Sequence, residues 1–130
     1  MRITFIKERK GQSLIEFALV LPILLLVLFG ITEFGRAIMT VNMLHTAARE
    51  GARYAAVRAV SDSTSAVAKV QDVLDAASIK NSTIDIEYLE AEKAVRVRVT
   101  TDFKVLTGKL LDPFMGTITL KGETVMRHEG

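Results

Sequence analysis

An α+β fold is predicted, built from one long N-terminal helix, a short second helix and a small three-stranded antiparallel sheet. Three observations predict it. Small and apolar residues recur at steps of three and four far beyond an N-terminal apolar run, the spacing changes to strict alternation after "KNS", Lys80 to Ser82, and 130 residues suffice for one small core but not two. No internal repeat or low-complexity linker interrupts the chain.

The first element begins in "KERKGQSLIEFALVLPILLLVLFG", Lys7 to Gly30, where a basic cluster runs into an apolar segment. The sequence pI near 9.0 points toward nucleic acid only until the charges are placed. Arg2, Lys7, Arg9 and Lys10 against Glu8 give the first eleven residues a net +3, which leaves −1 of the whole-chain +2 for everything after Gly11. The basic character belongs to a leader, and no nucleic-acid partner is expected. Between Glu16 and Glu33, "FALVLPILLLVLFGIT" carries no charge. As a helix it spans about 24 Å, and Leu14 and Ile15 bring it close to the ~30 Å thickness of a bilayer core. Positive charge before the run and mixed charge after it put the amino terminus in the cytoplasm and the rest outside. A cleaved secretory signal has the same outline. However, "GITEFGRAIM" offers no good small-x-small cleavage site and the helical pattern continues through it, which favours a retained anchor. Pro22, inside the run, removes a backbone donor and is expected to kink or locally unwind the helix.

Past the run, Phe34, Ala37, Ile38, Val41, Leu44, Ala48, Ala52, Ala55 and Ala59 form one stripe. The helix is therefore expected to continue from Phe17 to Ala59, about 65 Å, with the alanines of its distal half allowing close approach of the protein's own sheet. Arg49, Glu50, Arg53 and Arg58 decorate this half. They form either a solvated face, with a Glu50–Arg53 contact worth a few tenths of a kcal/mol, or a surface for another subunit.

"VSDSTS", Val60 to Ser65, is a stop and restart rich in capping residues. A second helix is expected from Thr64 to Ala77, with Val67, Val70, Leu74 and Ala77 inward. Then Ile84, Ile86 and Tyr88 alternate with Asp85 and Glu87, and Val95, Val97 and Val99 with Arg96, Arg98 and Thr100. "EAEK", Glu90 to Lys93, is a short hairpin connection, which sets Arg96 and Arg98 opposite Asp85 and Glu87 as candidate cross-strand pairs. Turn residues in "LTGKLLDPFMG" lead through Asp112-Pro113 to a last strand, about Thr117 to Arg127, with Ile118, Leu120 and Met126 inward.

Little in the chain suggests catalysis. There is no cysteine, so no disulfide scaffold, thiolate nucleophile or zinc–cysteine site. His45 and His128 are the only imidazoles, and His45 has no carboxylate three or four residues away. There is no Gly-rich phosphate loop before a helix, no zinc-spaced His–Glu pair and no G-x-S-x-G elbow. No enzyme, cofactor or metal site is expected.

Glu16 is an ionisable group at the mouth of the apolar run, where it is costly. By position alone it is a boundary residue reaching the headgroups. With its neighbours it resembles something else. Gly11 ends the basic leader, Gln12 to Ile15 follow, and then come Glu16 and Phe17. This is similar to the processing site of type IV-like prepilins, where a membrane prepilin peptidase cuts after the glycine and the glutamate is the fifth residue of the mature chain. "GQSLIEFALVLPILLLVLFGITEFGRA", Gly11 to Ala37, and "NMLHTAAREGARYAAVRA", Asn42 to Ala59, resemble the TadE-like proteins of the tight-adherence (Flp) pilus system, strongly over Gly11 to Ala59 and weakly beyond.

The resemblance implies a pilin-like fold and a pseudopilin, or minor pilin, needed for pilus assembly. It implies a leader at 1–11, a transmembrane and assembly segment at 12–33 and an exported head at 34–130. Cleavage between Gly11 and Gln12 would free an α-amino group able to pair with Glu16 of a neighbouring subunit, fixing the axial offset between subunits. The partners implied are the peptidase, other pilins, the inner-membrane assembly platform and the lipid bilayer. Arg49, Glu50 and Arg53 are candidate subunit contacts. The other reading is an extracytoplasmic binding domain, anchored or secreted, whose N-terminus is only a tether or signal.

Overall fold

The structure, a computed structural model, describes residues 8–57, 63–106 and 116–127. The elements run α1 (Glu8–Val57), α2 (Ser63–Ala76), β1 (Ser82–Leu89), β2 (Ala94–Phe103) and β3 (Ile118–Arg127). Antiparallel pairing in the order β1-β2-β3 makes the expected α+β fold of long helix, short helix and three-stranded sheet. The expectations for Arg2, Lys7, Arg58, Ala59, Val60 to Asp62, Asp112-Pro113 and His128 lie outside the described residues. The chain divides into two compact units, Met1–Phe34 and Gly35–Gly130.

In the first unit α1 continues as α-helix through Pro22. Thr32 donates from Oγ1 to the Leu28 carbonyl at 2.9 Å, which satisfies its hydroxyl within its own helix at the end of the apolar run.

In the second unit the core forms where α1 and α2 supply small and branched residues to one face of β2. Leu44, Ala47, Ala48, Ala52 and Ala55 of α1, Ala66, Val70 and Leu74 of α2, and Val95, Val97 and Val99 of β2 make one buried cluster. Ile84, Ile86 and Tyr88 of β1 and Leu120 and Met126 of β3 pack against it, as the alternation requires. The upper part of the expected stripe does not join it. Phe34 and Ile38 are exposed and Ala37 is half-buried, because helical spacing records which face is apolar but not how far the covering sheet extends.

α2 begins one residue before the expected start and ends one before the expected stop. Ser78 adopts a left-handed conformation (φ 58°), its N–H bonds to the Asp75 carbonyl at 2.9 Å, and the Ile79 N–H bonds to the Leu74 carbonyl at 2.9 Å. This Schellman-type cap then turns Ile79 back onto the core. The inner face of α2 is Ala66, Val70 and Leu74. Val67 is exposed and Ala77 only half-buried, so the helix is rotated from the expected setting toward its smallest residue.

The hairpin pairs Leu89 with Ala94 and Glu87 with Arg96, closed by a 3₁₀ turn at Glu90–Glu92 and Lys93 in the left-handed region (φ 47°). In β3, Ile118 is exposed, contrary to expectation, at the end of the strand. Gly122 is buried instead, and a methyl group built there would overlap the main chain of α1 at Leu44 and lie 2.6 Å from His45 N. The glycine lets the helix rest directly on the strand.

Candidate assembly surfaces

The N-terminal apolar part of α1 is built almost entirely of exposed residues. From Gly11 to Phe34 every residue is exposed except Glu33, which is half-buried, and α1 is long and apolar enough here to cross a membrane. Gly11 and Gln12 lie near the start of α1, with open space around Gly11. Glu16 and Phe17 are exposed on the same helix a turn and more further on. Among the described residues Glu16 has no hydrogen-bond or ion-pair partner within its own chain.

The segment Asn42 to Val57 divides its side chains by size. Ala47, Ala48, Gly51, Ala52, Ala55 and Ala56 are buried, whereas Arg49 and Arg53 are exposed and Glu50 is half-buried. Gly51 shows why: a methyl group there would strike Val70 Cγ2 and stand 3.5 Å from Val97 Cγ1, so both α2 and β2 press against this turn. Glu50 and Arg53 share an open recess of about 280 Å³ with Tyr54, Val57 and Lys69. Arg49 does not line it. The expected Glu50–Arg53 ion pair is not formed among the described residues. His45 is exposed on the same helix.

A charged ladder covers the other face of the sheet. Arg96 donates from Nη1 to Glu87 Oε2 at 2.9 Å, which is the expected cross-strand pair. Arg98 stands opposite Asp85 in register, yet donates from Nε to Glu123 Oε2 at 2.9 Å on the other neighbouring strand. Lys121 Nζ reaches the same oxygen at 3.1 Å, and Arg96 Nε lies 3.6 Å from Glu123 Oε1. Glu123 is thus the anion shared by three cations. The hydrogen bond from Arg98, then that from Lys121, holds its carboxyl below the usual range, and the same bond raises Arg98.

Sequence reasoning missed Ala47, Gly51, Gly122 and Glu123. A lone glycine within a strand pattern was the available signal for Gly122. The partner of Arg98 was missed because only the hairpin strand was considered, although a central strand has two neighbours.

No curated protein and no solved structure matches the chain. The family model described as TadE-like protein matches residues 11–53, a third of the chain. The match begins at the glycine that follows the basic cluster and ends at Arg53, so it takes in the apolar helix and the first part of the small-residue packing face of α1, Ala47 to Ala52. That match and the apolar helix fit a pilin-like protein of the tight-adherence system, and over residues 11–53 the chain is similar to the TadE-like proteins.

Proposed function

We propose that the protein is a minor pilin-like subunit, cut between Gly11 and Gln12 by a prepilin peptidase and used in assembling a tight-adherence (Flp) pilus. It is held in the cytoplasmic membrane by residues 12–33, with its amino terminus inside and residues 34–130 outside. The observation that carries this reading is the coincidence of the start of the family match with the end of the basic leader, five residues before Glu16.

The chemistry follows from the anchor. A carboxylate in the apolar layer is costly unless paired, and Glu16 has no partner in its own chain among the described residues. The α-amino group freed at Gln12 of an adjacent subunit supplies one. Pairing occurs only at one axial offset, so the cost of burial acts as a register. The bond to be cut lies about one turn into α1 as described, so the peptidase must unwind the helix locally to reach it. Pro22 is proposed to bend the anchor within a bundle, where neighbouring helices satisfy the freed carbonyl. Arg49, Glu50 and Arg53 are the contacts offered to other subunits, and the assembly platform is the remaining membrane partner. The role is structural, with no catalysis by this chain.

Coexpression with a prepilin peptidase, followed by intact-mass measurement, tests the central step. The expected product has lost residues 1–11, and Gly11→Val should leave the full-length chain. Trimming of that variant at the same bond, or an intact wild-type chain beside a peptidase active on another pilin, would reject the assignment.

A further inference from the structure

The second unit begins at Gly35, only four residues past Ile31, the last apolar residue of the uncharged run. Four residues span at most about 14 Å even when extended, so whatever surrounds Arg36 is tethered close to the anchor's end. Inside this unit the Arg36 guanidinium lies over the Phe103 ring, 5.2 Å from its centre. Phe103 pairs in register with Ile118. The end of the sheet where β2 finishes and β3 starts is therefore the end beside Arg36.

That end carries exposed apolar side chains with cations among them. Leu106 is 70% exposed, Met39 63% and Ile118 47%, and Lys104 is exposed beside them. Asp102, which accepts a hydrogen bond from Thr119 at 3.3 Å, is the acidic group near the end of β2. Against it stand Arg36 and Lys104, two cations and no dense positive patch. The surface is suited less to an anionic ligand than to an interface that takes apolar tips and leaves long cationic chains in the headgroups.

We propose that Arg36, Met39, Lys104, Leu106 and Ile118 form a bilayer-docking surface, which rests in the interfacial layer of the membrane that holds the protein's own anchor. The proposal rests on the anchor reading of residues 12–33. Docking would hold the unassembled subunit against the lipid, and leaving the membrane would uncover the same side chains.

The chain contains no tryptophan, so single tryptophans report position without background. Full-length Leu106→Trp, Ile118→Trp, Val57→Trp and Leu25→Trp are reconstituted in phosphatidylcholine vesicles whose acyl chains are brominated at shallow or deep positions. Val57 is 81% exposed and stands 21 residues beyond Arg36 on α1, about 32 Å along the helix. The expected result is several-fold stronger quenching by shallow bromines at 106 and 118 than at 57, with Leu25→Trp quenched by deep bromines. Quenching at 106 and 118 no greater than at 57, with Leu25→Trp still quenched, overturns the docking surface and leaves the anchor intact. A blue shift at 106 that follows protein concentration, without lipid quenching, also overturns it and assigns the face to a second copy. Loss of deep quenching at 25 overturns the anchor reading and the proposal with it.

Discussion

Replacing Gly122 with alanine would push a methyl group into the main chain of α1. The added carbon overlaps the Leu44 carbonyl carbon and stands 2.6 Å from His45 N and 2.7 Å from Leu44 Cβ, where ordinary contact begins at 3.4 Å. The helix and strand must separate by roughly 1 Å at this point, and no rotamer relieves the clash because the nearest obstacles are backbone. Overpacking of this kind costs about 1–3 kcal/mol, and a rigid obstacle places it at the upper end. The glycine has no positive φ, so alanine recovers about 0.4–1 kcal/mol by restricting the unfolded chain. The net expectation is a loss of about 2 kcal/mol, which for a unit of this size lowers the melting temperature by roughly 8–16 °C. The assay is thermal unfolding of the full-length protein in detergent micelles, followed by near-ultraviolet circular dichroism so that the anchor helix does not mask the transition. Gly35→Ala is the control, since it lies in α1 with nothing within 4 Å and should be neutral or stabilising by up to about 1 kcal/mol. A Gly122→Ala melt indistinguishable from wild type would refute the direct seating of helix on strand.

Gly51→Ala meets a side chain, Val70 Cγ2, not backbone, so the same assay should show a smaller loss of about 1 kcal/mol; a loss exceeding that of Gly122→Ala would contradict the packing described. Glu123 has a depressed folded-state pKa, so its contribution is present above the unfolded glutamate value of about 4.3 and is lost as pH falls through the folded value. Urea midpoints from pH 6 to 2 should fall more steeply for wild type than for Glu123→Gln, and parallel curves would remove Glu123 from its central place in the ladder. Glu16→Ala should leave the melt of the second unit unchanged while reducing crosslinking to other pilins in cells; equal crosslinking and normal piliation would make Glu16 a boundary residue only.

The elements were legible where a period was long and unmixed. Val95, Val97 and Val99 alternate with Arg96, Arg98 and Thr100 and are buried as that alternation demands, while α1 follows from its recurrence of small residues. What the pattern does not carry is the extent of the covering partner. Phe34 and Ile38 lie on the apolar face yet past the end of the buried cluster, and Ile118 opens a strand without reaching the core. The rotation of α2 toward Ala66 was equally hidden, because Val67 and Ala66 fit the same period about Val70. Of the candidate site, Gly11, Glu16 and the outward charges of α1 were legible as positions. The shared anion at Glu123 was not, since it requires knowing that β3 flanks β2.

The burial of Ala47, Ala48, Gly51 and Ala52 bears on how the segment "AAREGAR" can vary among proteins that match it. Its small residues are a spacing specification: they fix how near a helix axis runs to a sheet plane, and enlarging one moves α2 and β2 together. Arg49 and Arg53, interleaved with them, are exposed and carry no such packing constraint. One helix therefore carries two kinds of position, one limited by steric tolerance and one open to solvent. Related chains should keep residues no larger than alanine at the first set while changing charge at the second.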